Sequence, residues 1–244
     1  MAWFISIGQT VDTDVTPVTD SVMLIQNSHF VPQSDLKCLW AAAMSTTLSR
    51  ARFASPKTRQ VTNPWIRPII QGSVPPTNPN VRDWLDSGFQ FKGLEEIQLL
   101  ATSGLAMGNE NFTAIASLGV GIQPAPQGDY YPLRGTSTTA AVANKWSQIT
   151  VTWQDTLPAG TYAVVGLEHQ SANGQAARLI FQNQQYRPGA MSITSLANRQ
   201  NHALTHRRMG VFGQFIQTAM PLVEVLANAA DASHEIYMDI IRVG

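Results

Sequence analysis

Short apolar or alternating stretches, separated by turn residues, run along the whole chain. In Ser147–Trp153 the apolar Ile149 and Val151 alternate with threonines. This period of two predicts a half-buried β-strand. Clusters of Gly, Pro, Asn and Ser separate such stretches at short intervals, which is typical of a β-sandwich or a barrel. The pattern therefore predicts an all-β chain.

The predicted strands share this alternating or continuous apolar character. They are Val22–Gln26, Leu36–Ala43, Leu48–Phe53, Ile66–Ile70, Phe89–Phe91, Glu96–Ala101, Phe112–Val120, Ser147–Trp153, Thr161–Glu168, Ala176–Phe181, Met191–Leu196, Val211–Ile216, Leu222–Ala227 and Glu235–Val243. One short helix is predicted over Asn80–Asp86, because Asn78 can cap it and Pro79 suits its first turn. A second short helix is predicted near Asn201–Arg208. Asn173-Gly174 suits a hairpin turn.

An internal repeat organises these strands. A shift of 128 positions places Arg50 on Arg178, Phe53 on Phe181 and Glu96 on Glu224. The same shift serves both windows, 36–53 and 94–101, and it favours a strand over a helix in the second window. The Pro/Gly-rich residues 121–128 form a natural linker.

The repeat predicts two jelly-roll β-sandwiches, over residues 1–122 and 123–244. Eight strands in about 120 residues is the size of a jelly roll. A single large sandwich with coincidental similarities is the alternative.

The charge balance narrows the possible functions. Lys and Arg number 16 and Asp and Glu number 16, so the formal net charge is zero, and charged residues make up only 13%. A basic nucleic-acid-binding domain is disfavoured, because phosphate binding needs a positive face. A neutral protein has little self-repulsion and tends to associate. This suits a protein that packs beside copies of itself, although an ordinary neutral domain has the same composition.

No motif for catalysis, a metal or a cofactor is present. Cys38 is the only cysteine, so neither an internal disulfide nor a cysteine zinc site can form. His202 and His206 lack a third ligand and adjoin Arg207 and Arg208. Glu168 and His169 are neighbours in a strand and point to opposite faces. We therefore predict a protein that is not an enzyme, with no cofactor, no metal and no small-molecule substrate.

The start of the chain and its apolar runs do not predict membrane insertion. Residues 1–10 contain no Lys or Arg, which a signal peptide needs. No apolar run approaches the roughly 20 residues of a membrane-spanning helix. Met1–Asp14 is interpreted as an arm that reaches a neighbouring subunit or a particle interior.

Basic and aromatic side chains supply the candidate contact residues. Arg50 and Arg52 begin the densest basic cluster, which continues to Lys57 and Arg59. Such a cluster can meet nucleic acid, an anionic lipid surface or acids of a neighbouring subunit, or it can be a solvated strand edge. Tryptophans anchor interfaces and cores. The assembly candidates are Arg50, Arg52, Arg178, Trp65 and Trp146.

Two other functional classes remain open. Trp65, Trp84, Trp146 and Trp153 would suit the sugar-stacking platform of a carbohydrate-binding or adhesin-like β-sandwich. A β-sandwich hydrolase would need two carboxylates that converge in a cleft, and Glu95 and Glu96 would face apart in a strand.

A duplicated β-sandwich with little charge, one cysteine and no catalytic motif resembles the double jelly-roll capsid proteins of tailless, often membrane-containing viruses and phages. The resemblance is architectural and covers most of the chain. It implies trimers that form pseudo-hexagonal capsomers of an icosahedral shell. The implied partners are copies of the chain, other virion proteins, and an internal lipid layer or the genome through basic residues. The implied location is the virion, after synthesis in the host cytoplasm.

Overall fold

The computed structural model describes residues 3–11, 16–17, 29–30, 34–45, 48–56, 65–66, 80–83, 90–103, 110–119, 126–143, 145–182, 187–193, 211–227 and 229–244. All nineteen elements with described bounds are β-strands. The all-β prediction is therefore confirmed. Val22–Gln26 and Asn201–Arg208 lie outside the described residues, as do Lys57, Arg59 and Trp84.

Ten of the strands precede residue 120. They are β1 (Trp3–Val11), β2 (Thr16–Pro17), β3 (His29–Phe30), β4 (Leu36–Ser45), β5 (Leu48–Ala54), β6 (Trp65–Ile66), β7 (Asn80–Asp83), β8 (Gln90–Phe91), β9 (Ile97–Ser103) and β10 (Glu110–Gly119).

Nine strands follow residue 129. They are β11 (Tyr130–Ser137), β12 (Trp146–Ile149), β13 (Thr152–Trp153), β14 (Thr161–Gln170), β15 (Gly174–Ile180), β16 (Gly189–Ile193), β17 (Gly213–Ile216), β18 (Leu222–Ala227) and β19 (His234–Arg242).

The ladders between these strands stay within one half of the chain. In the first half, β1-β10-β4 form one sheet with β7 and β8 both on β4, and β2-β9-β5-β6 form another. In the second half, β11-β19-β14-β17 and β12-β18-β15-β16 repeat these orders, and β16 also pairs with β14 and joins the two sheets.

Both halves thus have the same eight-stranded topology. With β3, β7 and β13 set aside as additions, the strands of each half number one to eight in chain order. One sheet then has the order 1-8-3-6 and the other 2-7-4-5. Two sheets of four strands in this order form a jelly roll. The chain therefore contains two jelly rolls, the first within residues 3–119 and the second within 130–242.

The registers identify which residues of the two rolls are equivalent. A β-bulge leaves Leu39 of β4 unpaired and Val165 of β14 unpaired. A second bulge makes the register pass over Ser49 of β5 and Gln175 of β15. The two residues at each kind of bulge are 126 positions apart. A bulge inserts one extra residue at a defined place in a strand, so it marks equivalent positions in the two rolls. The third and fourth strands of the rolls therefore correspond at a shift of 126.

This register corrects the alignment made from the sequence at a shift of 128. Counted from the bulge, Arg52 is the equivalent of Arg178, whereas the sequence alignment had chosen Arg50. Arg178 lies opposite Glu224, but Arg52 lies opposite Leu100. Loops that differ in length change the offset from strand to strand, so no single shift could align the rolls.

The core of the second roll lies between its two sheets. Tyr162 stacks on Phe215 with ring centroids 5.6 Å apart, and Tyr131 meets Tyr162 edge-on at 5.7 Å. Leu36 and Phe91 occupy the equivalent register position in the first roll, and both are buried. Apolar burial of this kind contributes about 1.5–3 kcal/mol for each large side chain.

Two local predictions are wrong. Asn80–Asp83 is the strand β7, antiparallel to β4, and not the start of a helix. Ladder hydrogen bonds to β4 outweigh the local capping signal of a short segment. Trp3–Val11 is not an arm, because it is the edge strand β1 and pairs along its whole length with β10.

Candidate functional sites

A cluster of charged side chains lies buried on the 2-7-4-5 sheet of the second roll. Arg178 on β15 is fully buried, and its Nε donates to Glu224 Oε2 of β18 at 2.6 Å. Arg187 donates to the same oxygen from Nη1 at 2.9 Å. The Arg178 guanidinium also lies 4.0 Å from the centre of the Trp146 ring. We call these four residues the ion cluster.

Strand register creates the ion cluster. Arg178 and Glu224 are directly opposite on neighbouring antiparallel strands, so their side chains share one face of the sheet. Glu224 is only 7% exposed. A buried carboxylate is tolerated when cations and hydrogen bonds satisfy it. The cluster is therefore a structural element of the second roll, with Glu224 held between two guanidinium groups.

The five predicted assembly residues lie in two different places, two of them in the ion cluster of the second roll and three on strands β5 and β6 of the first roll. Arg178 and Trp146, two of the predicted assembly residues, lie together in the ion cluster. They contact each other within the chain. The burial of Arg178 does not fit the predicted role of a charge at the rim of a subunit interface. Arg52 and Trp65 lie directly opposite each other in the register of β5 and β6, and Arg50 lies on β5 opposite Thr102.

A second buried cluster surrounds two histidines, His169 of β14 and His234 of β19, which we call the histidine pair. They are 0% and 1% exposed. His169 Nε2 lies 3.2 Å from His234 Nδ1, and His169 Nδ1 lies 2.6 Å from Ser192 Oγ of β16. His234 Nε2 lies 3.2 Å from the main-chain oxygen of Asp231. No sequence motif points to this cluster, because its members come from strands that are far apart along the chain.

Asp231 anchors the segment beside the histidine pair. Its carboxylate accepts hydrogen bonds from Ser171 Oγ at 2.5 Å, from Asn173 N at 2.9 Å and from Ser233 N at 3.0 Å. Partial burial raises the pKa of Asp231, but these bonds and the nearby His234 outweigh burial, and the pKa lies below its ordinary value. Asp231 therefore carries its negative charge near neutral pH.

Gly174 makes room for the histidine pair. A Cβ atom at this position would lie 2.7 Å from His169 Cε1 and 3.1 Å from Ser192 Oγ. The Asn173-Gly174 sequence does mark a turn, as predicted, but no hairpin ladder joins β14 to β15, which belong to different sheets. The glycine is needed here for close packing against the imidazole.

Neither buried cluster is arranged for catalysis. His169 and Ser192 resemble a base and a nucleophile in their contact, but both are buried and a substrate cannot reach them. Burial also raises the pKa of the Cys38 thiol, which keeps it protonated and unreactive. Among the described residues, no group of three or more His, Cys, Asp or Glu is placed to hold a metal ion.

The tryptophans of the second roll do not form an exposed sugar platform. Trp146 covers Arg178, and both Trp146 and Trp153 pack against the core cluster. The Nε1 atom of Trp146 is itself buried and has no hydrogen-bond partner. The part of the chain that the structure describes contains no helix that is long and apolar enough to cross a membrane.

No protein-family model matches the sequence, and no curated protein matches it either. Among solved structures, the chain is similar to the major capsid protein P2 of bacteriophage PM2, with 10% identity over 100% of this chain and 98% of that one. It is also similar to the STIV MCP, with 8% identity over 99% and 97%. Both comparisons have a TM-score of 0.25. The assignment of two jelly rolls to this chain therefore rests on its strand orders.

Proposed function

We propose that this chain is a capsid protein whose two jelly rolls, residues 1–122 and 123–244, assemble as trimers into an icosahedral shell. The observation that carries the proposal is the repetition of the 1-8-3-6 and 2-7-4-5 strand orders in one chain. Three chains with two similar rolls each can place six similar bodies around one axis. Such a ring fills a hexagonal lattice position with only three copies of the chain.

The charge of the chain supports the same proposal. Zero net charge on 244 residues removes the long-range repulsion that would oppose dense packing of copies. Obligate interfaces commonly bury more than about 2,000 Å² and are rather apolar. The proposed partners are other copies of the chain, other virion proteins, and lipid or genome beside basic residues. The proposed location is the virion, and the proposed protein is not an enzyme.

Assembly gives a direct test. We expect the purified protein to show a discrete mass of about 80 kDa by light scattering, three times its 26.6 kDa, and shell-like particles by electron microscopy. Nonspecific association near zero net charge would instead give masses that grow continuously with concentration. A mass that stays at one chain at high concentration, without particles, would overturn the proposal.

A further inference from the structure

The hydrogen bonds around the histidine pair are all donated in one direction, from Ser192 on β16 towards the main-chain oxygen of Asp231 before β19. The Asp231 carbonyl can only accept, so His234 Nε2 carries a proton and donates. In a neutral His234, Nδ1 then accepts from His169 Nε2–H. His169 Nδ1 in turn accepts from the Ser192 hydroxyl. These three hydrogen bonds between β16 and β19 are thus all made with both imidazoles neutral.

This chain of bonds has room for at most one additional proton. If His234 is protonated on Nδ1, His169 must change tautomer, so that its Nε2 accepts and its Nδ1 donates to Ser192. A second proton would place two N–H groups face to face at 3.2 Å and two positive charges in a buried site. Burial without full compensation makes such charge costly.

The charged surroundings compensate little of that cost. Asp231 faces the pair from the segment before β19, but its carboxylate is already bound to three donors. From β14 and β19, the neighbouring Glu168 and Glu235 are half-exposed and point to the other face of the sheet. Strands β11 and β16 and the turn after β14 contribute Ser137, Ser192 and Ser171, which do not titrate.

We propose that the histidine pair is an acid-sensitive hydrogen-bonded contact that holds β16 to β14 and β19. In this proposal, acidification towards pH 5 releases β16. The effect does not depend on the proposed capsid function. Strand β16 joins the two sheets of the second roll, and it is also the strand that approaches β1, β4 and β10 of the first roll. Release of β16 would therefore loosen the contact between the rolls.

The pH range in which stability changes follows from the direction in which the pKa of His234 is shifted. Burial lowers the pKa of His234 below its ordinary value of 6.5, and the charge of Asp231 and the main-chain hydrogen bonds with Asp231 and Thr139 offset this only in part. Below about pH 6.5, unfolded His234 therefore binds a proton more readily than native His234 does. Stability is full above that pH and falls as the pH drops. The unfolding constant rises by at most about 25-fold between pH 7 and pH 5, the limit for a His234 that stays neutral in the native state.

The first test measures urea unfolding at pH 7 and pH 5 for the wild type, for His169→Gln combined with His234→Gln, and for the control His29→Gln. We expect the double variant to lose most of the wild-type pH dependence and the control to keep it. Equal pH dependence in all three proteins would overturn the proposal. The carboxylate of Asp231, with its lowered pKa, loses its stabilising charge only at lower pH.

A second test needs only the wild type and so stands even if the double variant does not fold. Imidazole NMR of the five histidines should show that the ring of His234 remains neutral below its ordinary titration range near pH 6.5. Amide exchange, corrected for intrinsic rates, should show that β16 loses protection at pH 5 while β18 keeps it. Five histidines with ordinary titration, or equal loss in β16 and β18, would refute the release of β16.

Discussion

Replacing Glu224 by Gln is expected to lower the free energy of unfolding of the second roll by about 3–5 kcal/mol. The substitution keeps the shape of the side chain but leaves the fully buried Arg178 and the mostly buried Arg187 without their carboxylate. An uncompensated buried cation is costly because the low-dielectric interior cannot solvate it. Urea unfolding followed by tryptophan fluorescence measures the loss, since Trp146 lies on Arg178.

The matched control for this substitution is Glu235→Gln. Glu235 also pairs with an arginine, Arg134, at 3.0 Å, but the two side chains are 43% and 34% exposed, with Arg134 the more exposed. Pairs this accessible to water typically contribute about 1 kcal/mol or less. Replacing Arg178 by Met together with Glu224 by Leu should recover much of the stability, because apolar residues tolerate burial. If Glu224→Gln costs no more than Glu235→Gln, the ion cluster does not stabilise the roll.

Replacing Phe215 by Ala is expected to cost about 3–5 kcal/mol. The ring is buried and stacks on Tyr162, so its removal leaves a cavity between the sheets of the second roll. The neighbouring Ile216 is 54% exposed on the same strand. Ile216→Ala is therefore the control, and we expect it to change stability by about 1 kcal/mol or less.

The equivalent substitution in the first roll is Phe91→Ala, since Phe91 lies opposite Leu36 as Phe215 lies opposite Tyr162. If the rolls fold as separate units, scanning calorimetry should show that each variant lowers a different transition. A single transition lowered equally by both variants would show that the two rolls unfold together. A Phe215→Ala variant as stable as Ile216→Ala would contradict the assigned core.

The sequence predicted the bounds of some strands closely, but Ser147–Trp153, predicted as one strand from its unbroken alternation, is divided into β12 and β13, which pair with β18 and β11. Leu222–Ala227 has the predicted bounds, and Leu48–Ala54 differs by one residue at its end. Tyr130–Ser137 was missed, because Pro132 in its middle argues against a strand. In the structure β13 pairs only with Gly135 and Thr136 of β11, so Pro132 lies along an open edge where no donor is needed.

The candidate sites were harder to predict than the strands. Arg178 is an assembly candidate by sequence but is buried within the chain, because sequence shows the residue type and not the face of the sheet or the layer that covers it. From the sequence, His169 was considered only beside Glu168 and His234 was not singled out, since 65 residues separate the two histidines. Only strand pairing across β14, β16 and β19 brings them into contact.

By itself, the sequence determined that the chain is neutral and all-β, because period-two patterning, composition and turn residues act locally or add up along the chain. It also indicated two similar halves, although at a shift that the structure corrects. The tertiary structure alone decided the registers, and with them the equivalence of Arg52 with Arg178, the ion cluster and the histidine pair. Register depends on bulges and loop lengths that bring together strands far apart in sequence, and a slip of one residue turns every side chain to the opposite face.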